Sequence, residues 1–87
     1  MLEALMGQIV VLDLRGLFVC LGKLHRADDH YLEMTNADFH DLRDTDTTRE
    51  NYIAAARSTG IKRNRKSVFV LRSEVVAISL LSDVVEA

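Results

Sequence analysis

Seven consecutive residues near the C-terminus, Val75-Val76-Ala77-Ile78-Ser79-Leu80-Leu81, carry no charge and no proline. Such a β-branched, apolar run reads as a strand. Left at the edge of a sheet, it would offer its bare N–H and C=O groups to any passing chain, so something must cover it. The cover is either the chain's own structure or a second copy of it. Just upstream, Val68-Phe69-Val70-Leu71 reads as another strand. Only Arg72-Ser73-Glu74 separates the two, which predicts a tight hairpin.

The N-terminal half has the same β character. Ile9-Val10-Val11-Leu12-Asp13-Leu14 is a strand, Arg15-Gly16 a tight turn, and Leu17-Phe18-Val19-Cys20-Leu21 the returning strand of a hairpin. Gly22 interrupts an apolar run that resumes at Leu24, as a glycine does where a strand bends or another backbone comes close. His25 to Asp29 is polar and turn-like, and Tyr31-Leu32-Glu33-Met34-Thr35 restores the strand pattern. Ahead of all this, Leu2, Leu5 and Met6 share one face of a short helical turn that Gly7 closes. The chain of 87 residues is long enough for one hydrophobic core, so residues 1–87 are expected to form one mainly β domain.

The stretch from about 37 to 67 is too long for a hairpin loop and is predicted to hold a helix of its own. Thr47 with Glu50 three residues later fits a capping box, Ala54-Ala55-Ala56 favours helix, and Gly60 is placed to end it. Tyr52, Ile53 and Ala56 give the helix an apolar stripe that must pack on the sheet or on a neighbouring subunit.

A net charge of −2 does not by itself suggest a polyanionic partner. Its distribution says more. Asp38, Asp41, Asp44, Asp46 and Glu50 fall in one stretch with two arginines, whereas from Arg57 to Arg72 there are six basic residues and no acid. The run Lys62-Arg63-Asn64-Arg65-Lys66 places four cations in five positions and is a candidate phosphate contact. The acidic stretch is expected to pair with it inside or between subunits. Cys20, the one cysteine, falls in a predicted core strand and reads as a buried structural thiol. His25, Asp28, Asp29 and His30 match no established metal spacing, no phosphate-binding glycine loop occurs, and no cofactor is expected. No apolar run approaches the roughly 20 residues that span a bilayer, and Glu3 stands where a signal peptide would be basic, so an intracellular, cytoplasmic protein without a membrane partner is expected.

A short helix, a long bent hairpin, a third strand, an insertion and two closing strands with an arginine between them resemble the Sm and Sm-like family. Two motifs carry the resemblance. Leu14, Gly16, Gly22, Leu24 and Asp28 stand at places compatible with the first, and Val68 to Ile78, with Arg72 at its centre, follows the second. The departures are Ala27 for the usual aromatic, no recognisable Met-Asn pair after the Asp, and Ser73 for the usual glycine.

The resemblance implies a small five-stranded bent β-barrel of the SH3-like kind, with a short N-terminal helix and the helical insertion between strands 3 and 4. It implies a homo-oligomeric ring in which strand 4 of one subunit pairs with strand 5 of the next, and a non-enzymatic role in holding single-stranded RNA at the inner rim. Asp28, His30, Tyr31, Arg72 and Ser73 are the RNA-binding candidates it designates; the charge run, independently of the resemblance, offers Lys62, Arg63, Arg65 and Lys66 as phosphate contacts repeated around such a ring. A flat ring or guanidinium stacks on an unpaired base, and Asp28 is expected to orient Arg72. The missing Met-Asn pair leaves open a structural or protein-binding ring without base recognition, and a monomeric peptide-binding module is a third possibility.

Overall fold

A computed structural model describes residues 1–86. Five antiparallel strands, β1 (Ile9–Leu14), β2 (Phe18–Ala27), β3 (Tyr31–Asp41), β4 (Arg65–Leu71) and β5 (Val75–Leu80), form one sheet in the order β4-β3-β2-β1-β5. The helix α1 (Arg49–Thr59) lies between β3 and β4.

Bending is built into the two long strands. Register shifts interrupt the β2–β3 ladder between Leu21 and Lys23 and again between Leu24 and Arg26, and such bulges sharpen the local twist. Gly22 sits at the first of them. A Cβ there would stand 3.0 Å from the Ala37 Cα and 3.0 Å from the Thr35 carbonyl oxygen, so the close approach foreseen at this glycine is real.

The bend encloses a core of Val10, Leu12, Leu14, Cys20, Leu24, Leu32, Met34, Ala37 and Val70, with Leu2 and Leu5 of the N-terminal 3₁₀ turn (Leu2–Leu5) and the Met6 that follows it packed against it. On the opposite face of β1 and β2, Val11, Val19 and Leu21 pack against Ile53 and Ala56 of α1. β1 is therefore covered on both faces, which is why Val10-Val11-Leu12 is an unbroken apolar run rather than an alternating one.

Four expectations change. β4 and β5 do not form a hairpin: β4 pairs with β3 and β5 with β1, because the 3₁₀ turn Arg72–Glu74 carries the chain across to the far side of the sheet. β3 continues to Asp41 and β4 begins at Arg65, so the segment between them is shorter than 37–67. Helix α1 is capped by Thr48, whose side chain accepts from the Asn51 N–H at 3.1 Å, one residue later than the Thr47–Glu50 box predicts. Gly60, with φ of 97°, does end the helix. Finally, of the two pairings expected for the acidic stretch, the one inside a subunit is absent: no ion pair among the described residues joins it to Lys62, Arg63, Arg65 or Lys66, and the pairing between subunits is the one that stays expected.

Both ends of the sheet stay open. α1 packs on the face of the sheet, and its neighbour at the C-terminal end is the segment after β5, through Leu81 and Val84. Among the described residues the only strand partner of β5 is β1, and none of its six residues is buried; Val76 is 68% exposed. At the opposite edge β4 pairs only with β3 and leaves Phe69 60% exposed.

Candidate functional site

The β2–β3 turn and the turn between β4 and β5 meet at one end of the sheet. Asp28 closes the first by accepting, through Oδ1, the backbone N–H groups of His30 at 2.8 Å and Tyr31 at 2.7 Å. These bonds favour the ionised form and hold the Asp28 carboxyl below its ordinary range, the His30 N–H having the larger effect. Arg72 joins the turns: its backbone N–H donates to the His30 carbonyl at 2.8 Å and its Nη1 to the Asp28 carbonyl at 2.5 Å.

Asp28 thus holds Arg72 through its backbone oxygen, while its carboxylate is engaged by the turn. His30 and Ser73 are exposed beside this junction. Tyr31, 43% exposed, meets the ring of Phe69 edge-on at a centroid separation of 6.4 Å. Together with Arg26, Ala27, Asp28 and Glu33 these two rings line an open concavity of about 520 Å³. Asp28, His30, Tyr31, Arg72 and Ser73 are therefore neighbours in space. Lys62, Arg63, Arg65 and Lys66 lie elsewhere, toward the far end of β4, where Arg65 is paired with Ala37.

A buried polar cluster escaped the sequence reading. Asp38 is only 2% exposed. Its carboxylate accepts from the Tyr52 hydroxyl and, at 3.2 Å, from Asn64 Nδ2. His40 stacks on Tyr52 at 4.2 Å and brings Nδ1 to 3.9 Å from Asp38. Burial, and then the bond to Asp38, push the Tyr52 phenol above its ordinary value. The cluster ties α1, β3 and the approach to β4 together. No spacing signals it, since its members lie up to 26 residues apart.

Cys20 is fully buried, and burial, with Asp38 adding to it, pushes its thiol up to about 12. That leaves it protonated at neutral pH and without nucleophilic character.

No protein-family model matches this chain, and no curated protein does. Solved structures do match. The Sm protein of Pyrococcus abyssii, solved in complex with a uridine heptamer, is similar over 90% of this chain and 89% of its own, at 16% identity and a TM-score of 0.61. The fold is that of the Sm-like proteins. An Sm-like protein from Archaeoglobus fulgidus is similar over 91% of this chain and 87% of its own, at 20% identity and a TM-score of 0.60. Within the Sm-like fold, the motif residues take consistent places: Gly16 turns β1 into β2, Gly22 bends β2, Asp28 closes the next turn, and Arg72 opens the turn into β5.

Proposed function

We infer that copies of this chain close into a ring, β4 of one subunit pairing with β5 of the next, and that the ring holds single-stranded RNA at its inner rim without covalent chemistry. The observation that carries the reading is the unfinished sheet. An uncharged apolar strand with no buried residue forms one edge and β4, with exposed Phe69 and Leu71, forms the other. A head-to-tail contact between two different edges uses up both on every subunit once it closes.

RNA is favoured by the exposed Asp28–His30–Tyr31–Arg72 junction and by the similarity to a protein solved with a uridine heptamer. His30 or Tyr31 stacks on one face of an unpaired base, and Arg72 stacks on the other or holds a phosphate. One observation favours a ring without base recognition: Arg72 already donates to the Asp28 carbonyl, and the Asp28 carboxylate already accepts two backbone N–H groups.

Fluorescence anisotropy with short oligo-U and oligo-A separates the two readings. Saturable binding that weakens with Arg72→Ala supports the RNA-binding ring. An oligomer that binds neither oligonucleotide leaves the structural ring, and a monomer that captures a peptide overturns both.

A further inference from the structure

The run Lys62 to Lys66 is not the loose, solvated loop that most charge runs are. Its middle residue is pinned. The backbone N–H of Asn64 donates to the Ala37 carbonyl at 2.9 Å, and Oδ1 accepts from the Phe39 N–H at 2.9 Å. Nδ2 donates to the Phe39 carbonyl at 3.0 Å and to the buried Asp38 carboxylate at 3.2 Å. The Asn64 side chain thus imitates a strand neighbour for β3 and fixes the backbone from which the flanking cations project.

Among the described residues those cations have no carboxylate partner. Arg26, Arg43 and Arg49 face Glu33, Asp41 and Asp13 respectively. By contrast Arg63 donates only to the Asn36 side-chain oxygen, at 3.4 Å, and Arg65 only to the Asn64 carbonyl, at 3.1 Å. Neutral acceptors orient a guanidinium without cancelling its charge. Asn36 takes a left-handed backbone, φ 48°, at the rim of an open hollow of about 300 Å³ that it lines with Arg63, Asn64, Arg65 and Lys66.

We propose that this hollow is a second RNA subsite, one that grips phosphates without reading bases, with Asn64 as its positioning residue. The inference rests on the RNA reading above. The ladder of β4 runs from Arg65, opposite Ala37, to Leu71, opposite Tyr31, so six steps of ~3.3 Å put the two subsites ~20 Å apart. At roughly 3.4 Å per stacked nucleotide, about six nucleotides cover that distance. An oligonucleotide of about four stays at the rim, and one of about sixteen reaches both subsites.

The test uses oligo-U of these two lengths, each titrated at several salt concentrations, with the parent protein, Arg63→Gln/Lys66→Gln and Arg72→Ala. Both glutamines replace exposed side chains and leave the Asn64 bonds intact. The double variant should weaken the long oligonucleotide at least about fivefold and lower its salt slope by about 1.4, at ~0.7 for each phosphate no longer neutralised on a single strand. The short oligonucleotide should lose affinity with Arg72→Ala and keep it with the double variant. Unchanged affinity and slope for the long oligonucleotide in the double variant overturn the second subsite. Arg72→Ala without effect on the short one refutes instead the rim reading. Salt-dependent binding to phosphatidylserine vesicles, with no binding of the long oligonucleotide, also overturns the proposal, in favour of a membrane surface.

Discussion

Replacing Gly22 with alanine adds one methyl group where the structure leaves no room for it. The new Cβ would stand 3.0 Å from three atoms, the Cα and Cβ of Ala37 and the carbonyl oxygen of Thr35, where ordinary contact begins at 3.4 Å. Two of the three are backbone atoms in the middle of β3, which no side-chain rotation can move away. Overpacking of this kind costs ~1–3 kcal/mol. The gain from stiffening the unfolded chain offsets ~0.4–1 kcal/mol, since Gly22 is not in the left-handed region. Midway through these ranges the net loss is about 1.3 kcal/mol, and with a urea dependence near 1 kcal/mol per M it lowers the midpoint by about 1 M. Assembly makes stability depend on concentration, so parent and variant are compared at the same subunit concentration. A Gly22→Ala protein at least as stable as the parent would refute the claim that β2 bends here because β3 presses against it.

Thr48→Ala should cost about 1 kcal/mol and Thr47→Ala close to nothing, because the structure gives the cap bond to Thr48 alone; urea midpoints of the two variants check it. Tyr52→Phe removes a donor from the buried Asp38 carboxylate and should destabilise by about 1.5–3 kcal/mol in thermal or urea unfolding. The Cys20 thiol, raised in the folded chain from 9.0 to about 12, binds its proton more tightly there than in the unfolded chain. Its contribution is therefore intact below pH 9 and lost as pH climbs toward 12, with a limiting slope of about 1.4 kcal/mol per pH unit. Urea midpoints at pH 8 and pH 10.5 should fall less for Cys20→Ala than for the parent.

Local signals made the strand cores, the β1–β2 hairpin, the Gly22 bend and the apolar stripe of α1 legible in the sequence. Each is set by residues within a few positions of one another. The far half of β3 was not legible, because Asn36 adopts a left-handed backbone and Asp38, His40 and Asp41 read as polar surface. Only its fold partners, Tyr52 and Asn64, reveal Asp38 as interior. The β4–β5 turn misleads for a related reason: three residues suit a hairpin, yet here they redirect the chain to β1. At the rim, the motif led to Asp28 and Arg72 as partners, and the structure makes the contact through the Asp28 carbonyl, an atom that no side-chain pattern specifies. The cations of 62–66 were visible as charge, while the asparagine that fixes them passed as a spacer.

The mass of the assembled protein in solution, by light scattering or native mass spectrometry, bears most directly on the unfinished sheet. A discrete species of several 9.8 kDa subunits is expected, dissociating when Val76→Lys puts a charge on the open edge of β5. A stable 9.8 kDa species at every concentration, or an oligomer indifferent to that charge, would contradict it.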